Sequence, residues 1–254
     1  MTRLFTARGV HELRTLARGH CALAFDLDGT LAPLTARRAE AQVPAATAAR
    51  RRQLCRAWPV AVVTGRSASD ATARLGFEPK CLIGNHGAER WGRAATDGSR
   101  TLHQALDPLR EQLRLAAGVL QMCGIEVEDK GLSLALHYRQ STDPVTALAI
   151  ARELLATGSP GVRIAEGHQV VNVTPLDAPD KGDALTTALD EWGLDCALVV
   201  GDDSNDEPAF LKAPVGSVTV RIGSLDTDTA AHFRLEMQTE IDQLLDVMLG
   251  LRTD

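Results

Sequence analysis

Asp26 and Asp28 are two carboxylates, one residue apart, at the end of a short apolar run, Cys21–Phe25. Carboxylates at the mouth of a buried strand are costly unless a cation or a substrate proton compensates them. A second acidic cluster, Gly201-Asp202-Asp203-Ser204-Asn205-Asp206-Glu207, follows another apolar run, Cys196–Val200. Ligands of open α/β sheets bind just beyond the carboxyl ends of strands. If the two runs are parallel neighbours, their carboxylates converge and repel, and a hard divalent cation relieves that repulsion. Oxygen ligands beside a phosphate point to magnesium. Thr64-Gly65-Arg66 closes a third run, Val60–Val63, and offers a hydroxyl and backbone N–H groups to a phosphate. Lys181 supplies a point charge for the same phosphate and for the nucleophile. The plain alternatives are a strand followed by a Asp-Gly turn and a solvated acidic turn. Thr at a strand end is common, and a lone Lys is usually a surface residue. An acidic surface turn, however, need not follow a buried strand, and here two do.

The elements that position these residues arrive in α/β order. Helices are expected around Val10–Arg18 and over Ala45–Ala57, with strands at Val60–Val63 and Cys81–Ile83. Ser67 and Asp70 are placed to cap or start the intervening helix. From about Leu102 the pattern changes. Leu102, Leu106, Leu109, Leu113 and Leu120 form a helical stripe. Strands at Ile125–Glu128 and Leu132–Tyr138, a helix opened by Asp143-Pro144, and a hairpin around Glu166-Gly167-His168 follow. Helix–strand–strand, twice over, reads as an inserted α+β domain. The alternating pattern resumes with a helix at Asp183–Trp192, a strand at Val218–Ile222, read as the last, and a final helix at Glu240–Leu251. The expected division is a core of residues 1–100 and 176–254, with 101–175 as a cap.

A chain of 254 residues can hold one large domain or two modest ones. Its 44% apolar and 24% charged residues are ordinary for a globular protein. The net charge of −6 gives no electrostatic case for nucleic acid. The five cysteines include no C-x-x-C, and the seven histidines lack zinc spacing. A reducing, cytoplasmic setting is the simplest inference. No apolar run reaches membrane-spanning length. The first twenty residues are rich in Arg, which suits a transit peptide or, with no signal-type apolar segment, an ordinary N-terminal helix. A monomer is expected.

Taken in order, Asp26-x-Asp28-Gly29-Thr30, Thr64, Lys181 and Asp202…Asp206 resemble the motifs of the haloacid dehalogenase-like superfamily. The resemblance implies a Rossmann-like core with a parallel sheet. It implies Asp26 as a phosphoryl-accepting nucleophile, Asp28 as a general acid/base and a magnesium ion held by Asp26, the Asp28 backbone carbonyl and Asp202, with Asp206 acting through water. The stretch between Asp28 and Thr64 is short and that between Thr64 and Lys181 long. The cap therefore belongs between the second and third motifs, the C2-type position, where in this superfamily it closes over the site and selects the substrate.

Within that superfamily the chain looks like the bacterial trehalose-6-phosphate phosphatases. Phe25–Ala32, Val63–Ser67, His86-Gly87-Ala88-Glu89, Lys130-Gly131, Ala135–Gln140 and Gly201-Asp202-Asp203 carry the resemblance. It implies sugar recognition on the cap, for which Lys130, His137, Arg139, Glu166, His168 and Asn172 are the candidates. His137 and Arg139 share a strand face with small Ser133 and Ala135, so both can reach over them; an exposed polar face is the plain alternative. The chain departs from the family at Gly167-His168, where Gly-Lys is usual, and at Val171-Asn172-Val173-Thr174-Pro175, where the family reads like V-E-I-K-P. Asn205 stands where Thr is usual. Three readings follow: a phosphatase of trehalose 6-phosphate, a phosphatase of another sugar phosphate such as a glycosylglycerate or sucrose-type phosphate, and a sugar-phosphate-binding module without catalysis.

Overall fold

A computed structural model of the chain describes residues 2–35, 40–92, 97–158, 161–224 and 228–253. They form two compact units, Met1–Trp91 with Pro179–Asp254, and Gly92–Ala178. The sequence reading put the divisions at 100/101 and 175/176. A helix already begins at Asp97, ahead of the first expected division, and the last strand of the α+β unit ends at Pro175, three residues before that unit ends.

The first unit contains β1 (Thr2–Arg3), α1 (Ala7–Ala17), β2 (Cys21–Phe25), α2 (Ala45–Ala57), β3 (Val60–Val63), α3 (Ala68–Leu75), β4 (Cys81–Gly84) and β5 (Glu89–Arg90). The second holds α4 (Asp97–Ala105), α5 (Asp107–Leu115), α6 (Ala117–Met122), β6 (Glu126–Asp129), β7 (Leu134–His137), α7 (Pro144–Gly158), β8 (Val162–Gly167) and β9 (Val170–Pro175). The chain then returns to the first unit with α8 (Lys181–Trp192), β10 (Cys196–Gly201), α9 (Glu207–Leu211), β11 (Val218–Ile222), β12 (Phe233–Leu235) and α10 (Ile241–Thr253).

The large sheet has the order β1-β12-β11-β10-β2-β3-β4-β5, parallel except for β5. β2, β3 and β10 are buried throughout, as parallel strands covered on both faces must be. After β2 the chain first winds to one side through β3 and β4, then returns to place β10 on the other. The switch point of the sheet therefore lies between β2 and β10. Pairing there is in register from Cys196↔Cys21 to Val200↔Phe25, and Asp26 N–H donates to the Val200 carbonyl at 2.9 Å. Asp26 and Asp202 thus leave adjacent strands at the same end.

Side-chain caps set the starts of α3 and α8. Ser67 Oγ accepts from Asp70 N–H at the start of α3. Asp180 and Asp183 form a reciprocal capping box that puts Lys181 in the first turn of α8, two residues before the expected start. Val218–Ile222 is a strand but not the last one: Phe233–Leu235 pairs beside it and is flanked in turn by Thr2–Arg3.

In the second unit the sheet order is β6-β7-β9-β8, all antiparallel. Leu134, Leu136, Val171 and Val173 pack against Leu109, Leu113, Leu120, Ala147, Ala151 and Leu155. The leucine stripe is divided among α4, α5 and α6, because Pro108 starts a new helix at α5. No helix among the described residues is long and apolar enough to cross a membrane.

Candidate active site

The Asp26-Leu27-Asp28-Gly29-Thr30 segment folds back on itself after β2. Leu31 and Ala32 N–H groups donate to the Leu27 carbonyl, and Gly29 N–H donates to that of Ala32. Gly29 has φ +79°, and a Cβ there would lie 2.0 Å from Asp202 Oδ2. Thr30 Oγ1 donates to Asp202 Oδ1 at 3.1 Å. The loop therefore seats the Asp202 carboxylate directly on its own backbone. Gly29→Ala is expected to destabilise the protein by about 1–3 kcal/mol, from backbone strain and the displaced carboxylate. A denaturation midpoint equal to that of the wild type would contradict this tight seating.

Lys181 lies beneath. Its Nζ donates to Asp26 Oδ1 and to Asp206 Oδ1, both at 2.7 Å, and the side chain is almost wholly buried. Asp206 Oδ2 accepts from the backbone N–H groups of Asp202 and Asp203, at 2.9 and 3.0 Å. Asp206 thus ties the acidic loop after β10 to Lys181. Glu207 holds the outer side of that loop, accepting from Arg221 Nη1 and from Ala230 N–H.

Asp26, Asp202 and Asp206 each bring a carboxylate oxygen within 4.8 Å of the other two. The Lys181 ammonium meets two of these three carboxylates, Asp26 and Asp206. Burial pushes the Asp26 carboxyl well above its ordinary range, against the pull of Lys181, with Asp206 and Asp28 adding to the rise. Burial likewise raises Asp202, reinforced by Asp26, Asp206 and Asp203. For Lys181 burial disfavours the charge, but Asp206 and Asp26 outweigh it and hold the ammonium protonated. An all-oxygen donor set with surplus negative charge suits a hard divalent cation.

Thr64 is buried at the end of β3. Its Oγ1 accepts from Arg66 N–H at 3.2 Å. Beside it the turn Asn85-His86-Gly87 runs through three successive left-handed residues, with φ 49°, 58° and 117°. That turn lays the His86 ring against Gly65, where a Cβ would lie 2.3 Å from His86 Cε1. Gly65 therefore has to lack a side chain.

The Arg66 guanidinium donates from Nε and Nη2 to the two oxygens of Asp28, at 2.6 and 2.7 Å, and from Nη1 to Asp70 Oδ2 at 2.6 Å. Burial alone would raise the Asp70 carboxyl, but hydrogen bonds from Arg74 and Arg66 outweigh it and hold it at about 2. Asp70 was legible in the sequence only as a helix-capping residue. Thr30 and Glu207 belong to motifs already singled out, but their contacts to Asp202 and the acidic loop had no sequence signal.

In the second unit, Glu128 Oε2 meets His137 Nε2 at 2.9 Å and Lys130 Nζ at 4.0 Å. Register sets Glu128, Ala135, Asn172 and Ala165 in one row across the sheet. Lys130, His137 and Asn172 therefore share a face, with Glu128 an unforeseen member. Glu166 does not share it. Opposite Val171, it lies on the helix-packed side, and its carboxylate accepts from Arg152 of α7 at 2.6 and 2.9 Å. His168 sits in the tight turn between β8 and β9, where its carbonyl accepts from Arg139 Nη2 at 3.3 Å. The five cysteines are free thiols. A cavity of about 610 Å³ lined by residues including Cys55, Trp58 and Lys80 lies at the amino ends of β3 and β4, and none of the predicted site residues lines it.

The family model for trehalose-phosphatase matches residues 24–237. A Mycobacterium tuberculosis protein described as an uncharacterized glycosyl hydrolase is 33% identical over 252 residues, covering 92% of this chain and 19% of that protein. A trehalose-phosphate phosphatase of Mycobacterium marinum is 29% identical over 236 residues, covering 87% of this chain and 59% of its own. The chain thus spans less than two thirds of the length of these relatives. The C-terminal domain of the C. albicans trehalose-6-phosphate phosphatase superposes with a TM-score of 0.80 at 20% identity, covering 94% of this chain and 96% of that one. That likeness carries the fold.

Proposed function

We propose that this chain, which belongs to the trehalose-phosphatase family, hydrolyses trehalose 6-phosphate to trehalose and phosphate. The observation that carries the reading is Lys181 bridging Asp26 and Asp206 at 2.7 Å, with Asp202 beside them at the switch point of the sheet. In the first step an Asp26 oxygen attacks phosphorus, and the bond from phosphorus to the sugar oxygen breaks. Asp28 gives its proton to the departing oxygen, leaving an aspartyl-phosphate. Water then attacks phosphorus and returns the electron pair to Asp26, while Asp28 takes the water's proton. Lys181 keeps the nucleophile oriented and balances charge, and Thr64 and the Gly65 N–H group receive the phosphate oxygens.

Asp26, Asp202 and the Asp28 carbonyl are the proposed magnesium ligands, with Asp206 orienting the loop. Bound there, magnesium supplies charge neutralisation for the nucleophile and the phosphate. The five free thiols suit a cytoplasmic place in trehalose biosynthesis.

Sugar selection is assigned to the α+β unit, through Lys130, His137, Asn172, Arg139 and His168. The second reading, another sugar phosphate, is favoured by Gly167-His168 and by Asn172 and Thr174, which replace charged residues usual in the family. The test compares kcat/KM for trehalose 6-phosphate and p-nitrophenyl phosphate in the wild type and in His168→Ala. Loss of one hydrogen bond to a sugar hydroxyl is expected to cost roughly 0.5–1.5 kcal/mol, about two- to twelvefold, on the sugar substrate alone. Equal losses on both substrates, or none on either, would remove His168 from sugar recognition.

A further inference from the structure

We propose that Arg66 and Asp70 are positioning residues that aim the Asp28 carboxylate at the attacking water. This rests on the phosphatase reading above. Arg66 is the most enclosed member of the group, 1% exposed at its side chain, whereas that of Asp28 is 28% exposed. The guanidinium therefore holds Asp28 from its buried side. A carboxylate has about four lone-pair sites. The fork of Nε and Nη2 occupies one on each oxygen and fixes the carboxylate plane, so the remaining sites face outward as acceptors.

Arg66 is itself fixed from behind. Nη1 sits on Asp70 Oδ2, and Asp70 Oδ1 accepts from Arg74 Nε and Nη2 at 3.0 and 2.7 Å. The Asp70 backbone N–H is capped by Ser67 at the start of α3, and Arg74 Nη1 continues to the Ala41 carbonyl. Asp28, Arg66, Asp70 and Arg74 alternate in sign, so the buried guanidinium is compensated on both sides. A rigid helix start, not a loop, thereby sets the orientation of Asp28.

Orientation counts most in the second half of the reaction. There the water oxygen bonds to phosphorus, the bond from phosphorus to Asp26 breaks, and its electron pair returns to the Asp26 carboxylate. The water's proton goes to Asp28, inorganic phosphate leaves, and the next leaving group takes that proton. A proton acceptor displaced by about 1 Å can cost on the order of a hundredfold.

The experiment is steady-state and stopped-flow kinetics of p-nitrophenyl phosphate hydrolysis in magnesium buffer. For this substrate kcat/KM reports phosphorylation of the enzyme, whose leaving group needs little protonation, while kcat also includes the water step. Asp70→Asn is expected to lower kcat about tenfold, with kcat/KM held within about twofold. KM falls in parallel, and a burst of p-nitrophenolate approaching one equivalent appears. Arg66→Lys, which keeps the charge and loses the fork, is expected to show the same split. Asp28→Asn shows it more strongly, and adding Asp70→Asn to Asp28→Asn does no further harm. Equal losses in kcat and kcat/KM, no loss, or additive losses in the double variant overturn the positioning role alone. A wild type that releases no p-nitrophenolate, or an Asp26→Asn variant that releases it at the wild-type rate, overturns the phosphatase reading and this proposal with it.

Discussion

Replacing Asp26 with asparagine is expected to reduce phosphate release to background, a fall of at least about four orders of magnitude. The amide cannot form the acyl-phosphate, and the other carboxylates nearby already have partners: Asp28 on Arg66, Asp202 on Thr30, Asp206 on Lys181. The fold should survive. Asparagine keeps an oxygen that accepts from Lys181, and the substitution removes one of three mutually repelling carboxylates. Circular dichroism and thermal unfolding check the fold, and phosphate release checks the chemistry. A folded Asp26→Asn protein with wild-type turnover would remove the nucleophile from the mechanism.

Chelation is expected to have an effect of similar size. Dialysis against EDTA should stop phosphate release and magnesium should restore it, because the cation neutralises a site where one ammonium meets two of three carboxylates. A readout independent of turnover is available. Magnesium at a hundred times its dissociation constant stabilises the folded state by about 2.7 kcal/mol. For a chain of this size that is a rise in Tm of several degrees. Asp202→Ala should lose both the rescue and most of the Tm shift. Full activity after exhaustive chelation, or an equal Tm shift in Asp202→Ala, would contradict a metal site at Asp202.

The acids of the candidate site were legible in the sequence because they follow uninterrupted apolar runs. β2 and β10 are buried on both faces, so Cys21–Phe25 and Cys196–Val200 stand out, and the acids that end them can be matched. β12, three residues long, and β1 and β5, two each, carry no such run and depend on pairing with neighbours already in place. The hairpin around Glu166-Gly167-His168 was legible, yet the side chosen by Glu166 was not, because it depends on cross-strand register with β9. Arg66 is the most instructive case. Its place in Thr64-Gly65-Arg66 marks it as a site candidate, but its partners Asp28 and Asp70 are set by how β2 and α3 pack, which no local pattern encodes. The Asn85-His86-Gly87 turn was equally hidden, since only glycine among its residues advertises a left-handed backbone.

The proposed function is removal of phosphate from trehalose 6-phosphate. Its most direct test is kcat/KM for phosphate release by the purified chain, in magnesium buffer, across a panel of trehalose, sucrose, glucose and glycosylglycerate phosphates. The account predicts the highest value for trehalose 6-phosphate, abolished in Asp26→Asn. Release that is faster from another sugar phosphate, or absent from all of them, would contradict it.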